Sequence, residues 1–216
     1  MVMRVVTIPV TDYQQNCSIL ICEQSKKAAL IDPGGDLAVL IEAIETHDVQ
    51  VEKVFLTHGH LDHAGAAMAC ASHFNVPVEG PHISDKYWLD DLEKYAQMLG
   101  FPMTRNVKPD RWLNDGENIS FGHINMDVIH TPGHTPGHVV FYHKKTSMAF
   151  VGDVLFKGSI GRSDFPGGNH QQLIESITQK LWPLGDSVEF VPGHGPNSTF
   201  AHERQFNNYV SDHALG

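Results

Sequence analysis

The sequence predicts an α/β protein built as an αβ/βα four-layer sandwich, two β-sheets packed face to face with helices outside. Three observations carry this expectation. Short β-branched apolar runs come in groups, amphipathic stretches are interspersed among those groups, and 216 residues with 41% hydrophobic content suffice for one sizeable core but are short for two. A strict strand–helix alternation would point to one parallel sheet instead. We therefore expect residues 1–216 to form a single domain without internal repeat, linker or a separate C-terminal helical domain.

Three apolar runs come first, Val5 to Val10, Ser18 to Cys22 and Ala28 to Ile31, the last stopped by Asp32-Pro33-Gly34-Gly35; they read as meandering strands. Leu37, Leu40, Ile41 and Ile44 keep the i, i+3, i+4, i+7 spacing of a helix with one buried face, over Leu37 to His47. A strand from Val51 to Leu56 runs into Thr57-His58-Gly59-His60-Leu61-Asp62-His63. The small residues from Ala64 to Phe74 predict a tightly packed helix, and Val76 to Val78 a buried strand. Between Asp85 and Leu99 the periodicity is again helical; the segment to Met103 is expected to pack on its own sheet, with capping the site or meeting another subunit as alternatives. Strands follow at Ile119 to Phe121, Ile124 to His130, Val139 to Tyr142 and Met148 to Val151. A helix over Gln171 to Leu181, a strand over Val188 to Val191 and a helical stretch from Phe200 to Val210 complete the pattern.

The formal net charge of −10 leaves no basic stripe for nucleic-acid phosphates, so no nucleic-acid partner is expected. No stretch approaches the ~20 apolar residues of a membrane span, and the N-terminus, broken by Arg4 and Pro9, reads as a strand rather than a signal peptide. Cys17, Cys22 and Cys70, three cysteines without ligand-type spacing, predict reduced core thiols and a cytoplasmic protein. The 15 histidines, as many as Lys and Arg together, are the unusual feature.

Three imidazoles and a carboxylate fall within the six residues His58 to His63, just after a predicted strand. Imidazole nitrogen and carboxylate oxygen are donors that zinc and similar divalent ions accept, and a loop containing Gly59 can fold several of them around one point. His134, Asp153 and His194 each follow a later apolar run and sit near glycine, as expected where strands deliver ligands to one edge and backbones approach closely. Seven donors exceed one tetrahedral ion but suit two that share a carboxylate. The expected arrangement places His58, His60 and His134 on the first ion, Asp62, His63 and His194 on the second, and Asp153 between them. His130 and His138 are expected to pack around the site and His170 to start a helix. His47, His73, His82, His123, His143, His202 and His213 carry no ligand pattern and are expected to be mostly solvated.

The order HxHxDH, lone His, Asp in GD and late His in PGHG resembles the metallo-β-lactamase superfamily across almost the whole chain. THGHLDHAGA, HTPGHTPGHVVF, VGDVLF and VPGHGPNS are most similar to its glyoxalase II (hydroxyacylglutathione hydrolase) branch, and GRSDFPGG to short members of that branch. The resemblance implies hydrolysis of S-D-lactoylglutathione to D-lactate and glutathione by a hydroxide shared between two divalent ions, zinc foremost with iron or manganese as alternatives. Asp62 and Asp153 would be the catalytic carboxylates, Asp62 also orienting the water. The expected partner is a small thioester, and the expected assembly a monomer or homodimer. Arg162 matches a basic position that lies near glutathione in the family, but the aromatic residues that follow it there are replaced and the chain ends 22 residues past His194; weak substrate affinity is therefore expected. The competing readings are a mononuclear iron persulfide dioxygenase and a lactonase or esterase of the same fold.

Overall fold

The computed structural model describes residues 2–102 and 104–214, so Met103 of the segment considered above lies outside the described residues. The first half forms β1 (Met3–Val10), β2 (Gln15–Cys22), β3 (Lys27–Ile31), α1 (Leu37–Thr46), β4 (Gln50–Phe55), α2 (Leu61–Ala64), α3 (Ala67–Phe74), β5 (Val78–Glu79), α4 (Lys86–Asp90) and α5 (Leu92–Leu99). The second forms β6 (Asn118–Phe121), β7 (Ile124–His130), β8 (Val139–His143), β9 (Met148–Gly152), β10 (Leu155–Phe156), β11 (Ser159–Ile160), α6 (His170–Glu175), β12 (Glu189–Pro192), β13 (Ser198–Thr199) and α7 (Phe200–Phe206).

One sheet runs β1-β2-β3-β4-β5 and the other β13-β12-β9-β8-β7-β6. Between them lies a core of Leu20, Ala29, Ile31 and Phe55 from the first sheet against Ile119, Met126, Phe141 and Phe150 from the second. Along β2 and β3 alternate residues turn the other way: Ile19, Ile21, Ala28 and Leu30 pack with Leu40, Ile44, Leu61, Ala67 and Leu89. On the far side Val140, Ala149, Val151 and Phe190 meet Leu173, Ile177, Leu181 and Phe200. Period-two alternation in strands that are covered on both faces produces the four layers that the sequence predicts. Cys17, Cys22 and Cys70 are free and buried in these cores.

Several boundaries differ from the sequence expectation, each for a local reason. The helix expected over Ala64 to Phe74 is two pieces, because the Ala66 amide is taken by the Pro33 carbonyl at 3.0 Å; Asp62 and His63 consequently stand on the short helix α2. The strand expected at Val76 shrinks to Val78–Glu79, since the Val76 amide closes the end of α3 on Ala71. Beyond α6, Ser176–Leu181 is π-helical; the Thr178 hydroxyl bonds the Ile174 carbonyl, competing with the regular ladder, while the Ser176 hydroxyl bonds the Pro132 carbonyl outside the helix. The C-terminal helix stops at Phe206 rather than Val210, where the Asn207 side chain turns back to Ser159 and Glu203. His143, expected to be solvated, is buried with Nδ1 on the Thr146 hydroxyl at 2.7 Å.

The topology places the chemistry. β12 pairs in parallel with β9, and β7 and β9 both run antiparallel to β8, so β7, β9 and β12 point the same way. Their C-terminal ends carry His134, Asp153 and His194 to one edge, where the residues after β4 join them. The sheets are stitched there by Val139 N–H to the Thr57 carbonyl at 2.8 Å and Asn16 N–H to the Gly193 carbonyl at 2.7 Å.

Candidate metal centre

All seven residues expected as ligands converge. His58 Nε2 lies 3.1 Å from His60 Nδ1, and His134 Nε2 lies 3.0 Å from the same atom, so three imidazole nitrogens share one point. A second group comprises Asp62, His63 and His194, with His194 Nε2 3.1 Å and His63 Nε2 3.7 Å from Asp62 Oδ2. Asp153 spans the two: Oδ1 is 3.3 Å from His63 Nε2, while Oδ2 is 3.6 Å from His134 Nε2 and 3.7 Å from His194 Nε2. A Cβ on Gly193 would stand 2.1 Å from Asp153 Oδ1 and 2.6 Å from His63 Cε1. The glycine of PGHG is what admits Asp153 between the groups.

The outward ring nitrogens are already committed. His63 Nδ1 bonds Asp32 Oδ2 at 2.9 Å, His134 Nδ1 the Arg162 carbonyl at 2.7 Å, and His194 Nδ1 the Tyr13 carbonyl at 3.1 Å. Each bond fixes the tautomer whose Nε2 lone pair faces the centre. The Thr57 hydroxyl bonds Asp32 Oδ2 at 2.6 Å and so accepts from His58 Nδ1 at 3.0 Å. His138, buried behind the centre, accepts the Asp153 amide at Nε2, 3.1 Å away. His130 bonds the Pro136 carbonyl at 2.9 Å, and His170 opens α6, with Asn169 as its cap.

Electrostatics separates the two groups. Burial holds His58 and His134 below the ordinary imidazole pKa and takes His60 to about 3, with neighbouring imidazoles adding to the effect on His58 and His60. Burial opposes charge on His63 too, but the Asp153 and Asp62 carboxylates outweigh it and raise its pKa; Asp153 is correspondingly lowered by His63, against its own burial. The buried His63 Nε2 and Asp153 Oδ1 make no hydrogen bond, although both are polar and deep. Buried polar atoms of this kind, without hydrogen bonds and close together beside neutral imidazoles, fit divalent cations as ligand atoms and are costly to leave unsatisfied otherwise.

Two buried carboxylates beside the centre were not singled out from the sequence. Asp32, read only as a turn residue, also falls near His58 and His63, but its oxygens are spent on Thr57 N–H, the Thr57 hydroxyl and His63 Nδ1; it aims His63. Asp85, read only as the start of a helical stretch, is fully buried against both histidine loops. The sequence signal for Asp32 was its place at a strand end, as the first residue of DPGG; Asp85 had none. Arg162 sits at the rim, 69% exposed, bonded twice to Asp164 at 3.0 and 2.9 Å and lying 4.5 Å over the Phe165 ring. The segment after Asp85 does two of the three things considered for it: Leu89, Leu92 and Ala96 join the core of the first sheet, and Trp88 walls the centre, its ring 4.5 Å from that of His60.

The family model described as "Metallo-beta-lactamase superfamily" matches residues 10–194, which hold every one of these donors. The chain belongs to the metallo-β-lactamase superfamily. Among its relatives, hydroxyacylglutathione hydrolase GloC of Haemophilus influenzae is 45% identical over 210 residues, 97% of this chain and 99% of that one. The crystal structure of the BLEG-1 B3 metallo-β-lactamase superposes with a TM-score of 0.88 at 35% identity, covering 99% of this chain and all of that one. TTHA1623, solved in a di-iron-bound form, gives 0.86 at 32% identity, with 95% and 100% covered. With this membership and these donors the chain is a metallo-hydrolase. No helix among the described residues is long and apolar enough to cross a membrane.

Proposed function

We propose that this chain is a thioester hydrolase that cleaves S-D-lactoylglutathione to D-lactate and glutathione. The observation that carries the reading is Asp153, whose two oxygens face two three-donor groups at once, in a chain that parallels a named hydroxyacylglutathione hydrolase over nearly its full length. His58, His60 and His134 would hold one divalent ion and Asp62, His63 and His194 the other, with Asp153 shared. Bound there, two such ions make water acidic enough to attack near neutral pH and polarise an acyl carbonyl. Zinc is the expected metal, and iron or manganese satisfy the same donors; the di-iron-bound neighbour supports that latitude.

The chain's own groups set the rest. Among the ligand side chains His194 is 30% and Asp62 22% exposed, against 4% for His134, so substrate approaches over the second group. Asp62, at this open rim, is the carboxylate placed to orient the attacking water and take its proton. A thiolate leaves without a dedicated strong acid, because it is stable in water near neutral pH. Arg162 would touch the glutathione part, but Asp164 already engages its guanidinium, which supports a weak grip and a high KM. Buried free thiols suit a single-domain cytosolic enzyme.

The test follows thiol release from S-D-lactoylglutathione by the metal-loaded protein, with oxygen uptake on glutathione persulfide recorded in parallel. Thiol release without oxygen uptake is the expected result. Oxygen uptake without thiol release would make the chain a persulfide dioxygenase and overturn the proposal.

A further inference from the structure

The loops that carry the first donor group are tied together by one buried carboxylate that is not among the grouped ligands. Asp85, at the end of the 3-10 turn Ile83–Asp85, is fully buried. Its Oδ2 accepts from Gly59 N–H at 2.9 Å and from the Thr135 hydroxyl at 2.7 Å, and its Oδ1 from Gly137 N–H at 2.5 Å. Gly59 stands between His58 and His60, and Thr135 directly follows His134. All three ligands of that group are therefore one residue from a hydrogen bond to the same carboxylate.

The approach depends on absent side chains. A Cβ on Gly59 would lie 2.7 Å from Trp88 Cβ and 3.2 Å from the Asp85 carbonyl oxygen, and one on Gly137 would lie 2.5 Å from Asp85 N and 2.7 Å from Asp85 Cβ. Glycine at these two positions lets the loops close on Asp85 from opposite sides. No salt bridge to Asp85 forms among the described residues, so its three donors are what offset its burial. The histidine nitrogens that meet at 3.0 to 3.1 Å set His60 Nδ1 against two Nε2 atoms whose rings donate from Nδ1 elsewhere; one hydrogen on His60 satisfies only one of them, so the grouping needs support from behind until a cation occupies the front. The second group has separate backing, His63 from Asp32 and His194 from the Tyr13 carbonyl.

We propose that Asp85 is the positioning residue of the His58–His60–His134 group, setting the separation of its two loops and hence the affinity of that group alone. The proposal rests on the two-metal reading above and adds a site-selective role that the ligands do not reveal. A residue that merely supports the fold would weaken both groups together.

The experiment titrates the full metal-free chain with zinc against a chromophoric chelator, and with cadmium-113 followed by NMR, where a three-nitrogen group and an oxygen-containing group give separate signals. For Asp85→Asn, whose amide turns an N–H₂ toward a donor, the expected result is a roughly 10–100-fold weaker first group, its cadmium signal broadened or lost. The second group should keep its affinity and signal. Thr135→Val removes one of the three bonds without changing shape and should give a smaller loss in the same group; it carries the test if Asp85→Asn does not fold. Equal weakening of both groups, or of neither, overturns the proposal. A wild-type chain that binds one cadmium or none overturns the two-metal reading beneath it.

Discussion

Single atoms at this centre have been given their tasks by hydrogen bonds that point outward. His63, His134 and His194 each spend Nδ1 on an oxygen, from Asp32, Arg162 and Tyr13 respectively, and so keep Nε2 for the centre. His63 differs in charge: two carboxylates outweigh its burial and raise its pKa in the metal-free protein. A proton therefore occupies that imidazole to higher pH than usual, and a divalent ion must displace it. Affinity at the second group is expected to rise with pH until His63 is neutral by itself, while the first group, whose imidazoles burial keeps neutral, changes less over the same range. Zinc titration calorimetry in buffers of different ionisation enthalpy reads the released proton directly. The seven donors were legible in sequence because density and glycine neighbours are local signals. Asp32 and Asp85 were not, since a carboxylate that aims a ligand from another loop leaves no spacing to find.

Elements show the same division. The runs Ser18 to Cys22 and Ala28 to Ile31 were readable because β-branched and apolar residues buried on both faces leave an unbroken stretch. Boundaries were lost where a distant group consumed an amide, as Pro33 does to Ala66. The two-residue strands β10 and β11 were missed outright, being too short for any period. Yet that hairpin lies between Asp153 and Arg162, and it is held from α7: Glu203, fully buried, accepts from Gly158 N–H at 2.7 Å, Asn207 Nδ2 at 2.8 Å and the Ser198 hydroxyl at 2.5 Å. Replacing Glu203 by Ala removes the acceptor that these three donors share. The expected cost is roughly 2–4 kcal/mol of unfolding free energy, measured as a shift of the urea midpoint with an unchanged slope.

At the scale of the molecule, four layers and one open edge follow from strand direction. β7, β9 and β12 all run toward the centre, and the inter-sheet core of Phe55, Phe141 and Phe150 sits beneath it, so the ligand loops rise from a close-packed floor. The apparent acidity of the chain, −10, counts Asp62 and Asp153 as free charges, and two divalent ions would offset part of it. The fold was legible because grouped strands and amphipathic helices leave few layered solutions. The substrate was less so, because a metal-binding framework of this kind can serve many reactions. The central claim is that both donor groups must be filled for thioester cleavage. The most direct measurement adds zinc stepwise to the metal-free chain and records bound metal and S-D-lactoylglutathione hydrolysis in the same samples. The account predicts that activity climbs to a plateau at about two ions per chain; full activity at one ion per chain, or none at two, would contradict it.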